Sequence, residues 1–186
     1  KHYGKVHAIA ASQAEDFDIT ALLAEKAKKT AQAELTVHNE HARILNITDE
    51  DIKNFKPAPT AYAYTSHLYR ATMFGHLAHS VAAMLPCYWL YADIGKKNEH
   101  ANPEVQIYRN WIKMYASEEF QNSTKQMIDL LNSLVENMND HKKEQVKETK
   151  KTAKKEVVAN IQKDMTKKAI TKTTRKNAVT KKVGGN

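Results

Sequence analysis

An all-α helical bundle is the fold class this sequence predicts, and three observations carry it. Only five Gly and four Pro stand in 186 residues rich in Ala, Leu, Lys and Glu, a composition that suits helices. Apolar residues recur every three or four positions along most of the chain. No segment of useful length alternates with the period of a strand. The length allows one domain with a real buried core.

Taken in order, residues 1–14 read as a helix already under way, because no capping residue precedes them. Asp18 is expected to cap a second helix running to about Leu45. Its apolar stripe is Ile19, Leu22, Leu23, Ala27, Thr30 and Ala31, then Leu35, Val37 or His38, and Ile44 or Leu45. Thr48 and Asp51 have the spacing of a capping box, opening a short helix that ends near Phe55. Lys56-Pro57-Ala58-Pro59 stops it, and Thr60 is expected to cap a Tyr-rich helix.

Gly75 then divides this helix from the next, which runs from His76 to about Lys97. Leu77, Val81, Met84, Leu85, Tyr88 and Tyr91 share its inner side. Pro86 lacks a backbone donor and should kink it. Asn102-Pro103 reads as a cap followed by proline at the first helical position, with Ile107, Trp111 and Met114 at helical spacing beyond. Ser117-Glu118-Glu119 opens another helix, striped by Phe120, Met127, Leu130, Leu131, Leu134 and Met138.

From about Thr149 the pattern degrades, with some helix expected around Val157–Met165 and disorder over the last dozen residues. This divides the chain into a helical domain, 1–148, and a basic Lys/Thr-rich tail, 149–186. The net charge of +8 divides in the same region. Residues 142–186 carry 15 Lys+Arg and 4 Asp+Glu, or +11, whereas residues 1–141 carry 14 and 17, or −3. All fourteen aromatics lie before residue 142. Nucleic-acid binding is therefore expected only through the tail, and only as non-specific charge attraction. A single cysteine excludes an internal disulfide and suits a reducing, cytoplasmic compartment. No apolar run reaches membrane-spanning length and no signal-peptide pattern opens the sequence.

Chemistry concentrates in Pro59–Gly95, which holds Cys87, five of the eight tyrosines and one of the two tryptophans. A lone cysteine is most often a small buried hydrophobe. Here a proline precedes it, and Tyr88, Trp89 and Tyr91 follow. Hydroxyls on facing helices could stabilise its thiolate, and Tyr64 and Tyr115 are the candidates. His38 and His41 with Glu34, and His76 with His79, could each share a helix face. A di-metal bundle site needs Glu-x-x-His on two helices with further carboxylates, so no metal is expected. Gly-rich phosphate loops, a Ser nucleophile elbow and paired zinc cysteines are absent from the sequence.

The stretches PTAYAYTSH, LPCYWLYADIG and YRNWIKMY, with AELTVHNE and HYGKV upstream, resemble the TenA family of thiaminase II, or aminopyrimidine aminohydrolases, over about residues 1–148. The resemblance implies a haem-oxygenase-like bundle without haem or other cofactor, usually a homotetramer. It implies hydrolysis of thiamin or aminomethyl-pyrimidine to hydroxymethyl-pyrimidine in thiamin salvage. Cys87 would be the nucleophile that adds to the ring, with Tyr64 and Tyr115 as substrate-binding tyrosines beside it.

Two departures qualify that expectation. The family's Asp and Tyr that contact the aminopyrimidine would precede Lys1. Its final helix, with a catalytic Glu in a pattern like SS..EY.FW, gives way here to TKKTAKKEVVANIQKDM. Glu156 falls near the expected position without the aromatic neighbours. The chain is thus expected to be incomplete at both ends relative to the family and impaired in turnover, with a tail that is mobile or from another reading frame. The alternative is a non-catalytic pyrimidine-binding or regulatory protein.

Overall fold

The computed structural model describes residues 2–33, 35, 36 and 39–159, and no strand occurs among them. Their helices are α1 (His2–Gln13), α2 (Phe17–Ala33), α3 (Asn39–Ile44), α4 (Asp49–Asn54), α5 (Pro59–Phe74), α6 (Leu77–Lys97), α7 (Gln106–Ala116) and α8 (Glu118–Glu136). A further helix, α9, covers residues 140–159. The all-α bundle expected from composition and periodicity is what forms.

Helix α6 is its axis. From Ser80 to Pro86 every residue is buried, because Ser80, Val81, Ala82, Ala83, Met84 and Leu85 present little but small or apolar side chains around the whole helix. Helices α1, α5, α7 and α8 pack against it, and α2 packs on α1. Leu23, Leu68, Met84, Leu85 and Met127 are fully enclosed. Each such side chain contributes about 1.5–3 kcal/mol by leaving water. The helix continues unbroken through Pro86. Gly95 sets the closeness of α6 and α7: a Cβ there would lie 2.5 Å from the carbonyl carbon of Tyr115.

Several helix starts differ from the sequence reading. Asp16, not Asp18, caps α2, its Oδ1 accepting from the Ile19 amide at 2.9 Å. Asp18 lies instead in the first turn, where its charge still suits the helix dipole. Ala58 occupies the N-cap of α5 with Pro59 at N1, so Thr60 is already helical. Helix α7 begins at Gln106 rather than at Asn102-Pro103, and the Pro103 carbonyl instead accepts from the Arg109 guanidinium. The capping box of Thr48 with Asp51 and the Ser117 cap of α8 form as expected.

The long second helix expected to Leu45 is described as α2 to Ala33, π-type backbone at 35 and 36, and α3 from Asn39. The expected stripe is buried only at its start. Leu23 is enclosed and Ile19 and Leu22 pack on the core. Ala31, Leu35, Ile44 and Leu45 are exposed, and Val37 and His38 lie outside the described residues.

Helix α9 runs across Thr149 with Val146 on one side of it and Ala153 and Val157 on the other, all three in the core. Seven- and four-residue spacings place them on one face, and Lys147, Lys151, Lys154 and Lys155 between them are exposed. His67 Nε2–H donates to the Thr149 carbonyl at 3.0 Å, and the Lys150 ammonium lies 5.0 Å from the centre of the Trp89 ring. The expected helix around Val157–Met165 falls only partly among the described residues, and the last dozen residues lie outside them.

Candidate functional site

Pro86 removes the amide that would bond the Ala82 carbonyl, just before Cys87. The next two carbonyls of α6 take side-chain hydroxyls. Tyr64 Oη, from α5, donates to the Ala83 carbonyl at 3.4 Å. Tyr3 Oη, from α1, donates to the Met84 carbonyl. Both hydroxyls also lie beside the Cys87 sulfur, near enough to lower the thiol. Cys87 is half-buried as a residue and packs on the core.

Burial pushes the thiol up to about 11, and the Tyr3 and Tyr64 hydroxyls pull it down only in part. At neutral pH it is therefore protonated. Burial likewise holds both phenols well above their ordinary value, so they remain neutral hydrogen-bond donors.

Behind them lies a second polar array. His7 is fully buried, and its Nδ1 faces the Tyr3 carbonyl at 2.9 Å. A carbonyl only accepts, so Nδ1 carries the proton and Nε2 is the acceptor for the Tyr88 hydroxyl at 3.0 Å. Burial, with the Lys26 charge adding to it, lowers His7 to about 4 against the bond to Tyr3, fixing a neutral ring. Lys26, on α2, reaches across to α8. Its ammonium donates to Ser123 Oγ at 2.7 Å, to Gln126 Oε1 at 3.1 Å and to the Ser123 carbonyl at 3.3 Å. It also lies 5.6 Å from the centre of the Tyr88 ring. Burial lowers it to about 8.

Tyr64 is thus brought to the thiol, and Tyr115 is placed differently. It belongs to a ring cluster, 4.8 Å between centres from Tyr91, 4.6 Å from Trp111 and 4.8 Å from Phe120. Phe120 stacks on Tyr88 at 5.9 Å, which links this cluster to the polar array. Burial raises the Tyr115 hydroxyl, followed by Tyr91 and Cys87, so it lies in the thiol's neighbourhood. It is not among the thiol's hydrogen-bond partners. Sequence reasoning missed Tyr3, His7 and Lys26. The spacing of Tyr3 and His7, four apart on the face that carries Val6 and Ala10, was the available signal.

Two open clefts, of about 500 and 390 Å³, flank the loop between α6 and α7, and neither is lined by Cys87. No group of three potential metal ligands gathers among the described residues; Glu34 and His38 lie outside them. No described helix is long and apolar enough to cross a membrane.

The chain is similar to proteins of known kind over most of its length. It is 40% identical over 147 residues to the aminopyrimidine aminohydrolase of Bacillus subtilis, covering 79% of this chain and 62% of that one. It is 29% identical over 143 residues to the aminopyrimidine aminohydrolase of Halalkalibacterium halodurans, covering 76% and 64%. The chain therefore spans a little under two thirds of the length of these relatives. Among solved structures, a TenA homologue from Pyrococcus furiosus superposes with a TM-score of 0.73 at 23% identity, over 84% of this chain and 74% of that one. A family model described as TENA/THI-4/PQQC matches residues 1–158, ending one residue short of the last one described in α9. The bundle and the sequence agree, and the chain belongs to the TENA/THI-4/PQQC family.

Proposed function

We propose that this chain carries out thiaminase II chemistry, hydrolysing thiamin or aminomethyl-pyrimidine to hydroxymethyl-pyrimidine in thiamin salvage. The observation that carries the reading is Cys87 with the Tyr64 hydroxyl in reach of its sulfur, in a chain 40% identical over 147 residues to an aminopyrimidine aminohydrolase. Cys87 is the nucleophile. After losing its proton, the sulfur adds to a ring carbon, the exocyclic substituent leaves with a proton as amine or thiazole, and water adds at the methylene carbon. Expulsion of sulfur then restores the ring. Tyr64 steadies the thiolate, and Tyr115 offers the pyrimidine a ring contact.

Turnover is proposed to be slow. Burial keeps Cys87 a neutral thiol at pH 7, and no carboxylate is among the buried polar side chains described. General acid or base assistance typically contributes about a hundred- to ten-thousand-fold. The single cysteine supports a reducing, cytoplasmic setting. Exposed Ile44, Leu45, Ile47, Ile52 and Phe55 support self-association, as a homotetramer in this reading.

The experiment is release of hydroxymethyl-pyrimidine from both substrates between pH 7 and pH 10. The rate is expected to climb with pH as the thiol ionises, and to fall about a thousandfold or more in Cys87→Ser, since removing a nucleophile can cost far more than that. Undiminished turnover by Cys87→Ser removes it as nucleophile. The raised thiol pKa favours a second reading, an aromatic site that binds pyrimidine without converting it. Saturable binding with no product would select that one.

A further inference from the structure

The Tyr3 hydroxyl lies at the Cys87 site and is not used by the proposed reaction. We propose that Tyr3 is a second positioning residue for Cys87, its hydroxyl turning from the Met84 carbonyl to the sulfur when the thiol ionises. This rests on Cys87 being the reacting group.

A phenol has a single proton to donate. While the thiol is protonated, Tyr3 gives that proton to the Met84 carbonyl, and its oxygen lies beside the Tyr64 hydroxyl as well as the sulfur. An ionised sulfur only accepts. A turn of the Tyr3 hydroxyl about its C–O bond then converts a neutral bond into a charge-assisted one, with no movement of the ring.

The ring is fixed for that role. His7 meets it edge-on at 5.1 Å between centres, and Tyr88 lies 6.0 Å away. His7 is itself pinned at both nitrogens, by the Tyr3 carbonyl and the Tyr88 hydroxyl. Tyr3 and Tyr64 thus hold adjacent carbonyls of α6 from two neighbouring helices, α1 and α5, with the sulfur beside both.

The titratable groups around the sulfur are Tyr3 from α1, Tyr64 from α5, Tyr88 on α6 and Tyr115 from α7, with His7 and Lys26 behind Tyr88. Of these, Lys26, at about 8, changes charge between pH 7.0 and pH 9.5. The test is therefore run at both.

Cys87 is the only thiol in the chain, so its alkylation by iodoacetamide is read directly. The thiol proton passes to solvent, sulfur bonds to the methylene carbon and iodide leaves. Tyr3→Phe is expected to slow alkylation about tenfold or more at both pH values, the loss of one charge-assisted bond to the thiolate. Tyr62→Phe, at an exposed ring, is expected to leave it unchanged. An unaltered rate in a folded Tyr3→Phe, or an equal drop in Tyr62→Phe, overturns the proposal.

Should Tyr3→Phe not fold, 3-fluorotyrosine at position 3 preserves the ring and makes its hydroxyl a stronger donor. Alkylation at pH 7.0 should then be faster, and an identical rate overturns the proposal, because a packing role alone would not respond. No pyrimidine enters this measurement. Failure of Cys87→Ser to reduce hydrolysis would sink the functional reading and leave the Tyr3 result to be judged separately.

Discussion

The aromatic side chains on the two sides of Cys87 are held by different forces. Towards α1 and α5, Tyr3, His7, Tyr64 and Tyr88 each direct a hydroxyl or ring nitrogen at a named partner. Towards α7, Tyr91, Trp111, Tyr115 and Phe120 are half-buried and meet ring to ring at 4.6–5.6 Å. The difference matters when an atom is removed. A buried polar group that loses its partner costs its full desolvation, whereas a ring held by ring contacts keeps nearly all of them when its hydroxyl is removed.

Tyr88 belongs to both sides, bonded to His7 and stacked on Phe120, and so provides the largest expected effect. Tyr88→Ala should cost about 3–5 kcal/mol in chemical denaturation, since it removes a large buried ring beside fully enclosed neighbours. Tyr88→Phe keeps the stack and takes the hydroxyl from His7 Nε2 and from beside Ser123, for a loss of about 1–3 kcal/mol. Equal losses in the two variants would show that the ring contributes nothing, and the contrast between the two sides would fail.

Acid should act on the polar side next. His7 is held at about 4 in the folded chain, while an unfolded histidine titrates near 6.5. Between those values the unfolded state binds more protons, so stability falls as pH falls from 6.5 towards 4 and levels off below. The full loss is about 3 kcal/mol for this one group. His7→Gln, which can still accept from Tyr88 and donate to the Tyr3 carbonyl, should flatten the denaturation midpoint over that window. A midpoint that falls equally in wild type and His7→Gln would show that His7 is not the group responsible.

This contrast also explains what was legible in the sequence. Ring placement follows helical period, so the inner positions Val81, Met84, Leu85 and Tyr88 could be read from spacing alone. The partner of a hydroxyl cannot. Tyr88 and His7 are 81 residues apart, and no local pattern connects them. Caps failed where two acceptable residues competed: Asp16 and Asp18 both suit the start of α2, and geometry chose the earlier. The buried face of α9 was hidden because Val146, Ala153 and Val157 are separated by lysines whose long stems leave the apolar spacing diluted. Cys87 and Tyr64 were found together because their motifs are local, Leu85-Pro86-Cys87 and Tyr64-Thr65-Ser66-His67, and α5 and α6 are sequential neighbours.

The smallest expected effect is on the ring side, and it sharpens the contrast most. Tyr115 touches three rings, and among the described residues no hydrogen bond from its hydroxyl is found. Tyr115→Phe should therefore change stability by no more than about 0.5 kcal/mol, the range of a substitution that disturbs no buried partner. It should also leave the alkylation rate of Cys87 unchanged, where Tyr64→Phe, which removes a hydroxyl in reach of the sulfur, slows it. If Tyr115 serves the proposed reaction, its effect must then appear in the substrate terms: KM for the pyrimidine rises while the thiol's pH dependence does not move. A Tyr115→Phe chain whose Cys87 alkylates more slowly would mean that this hydroxyl too reaches the sulfur, and the two sides of the site would have to be redrawn as one.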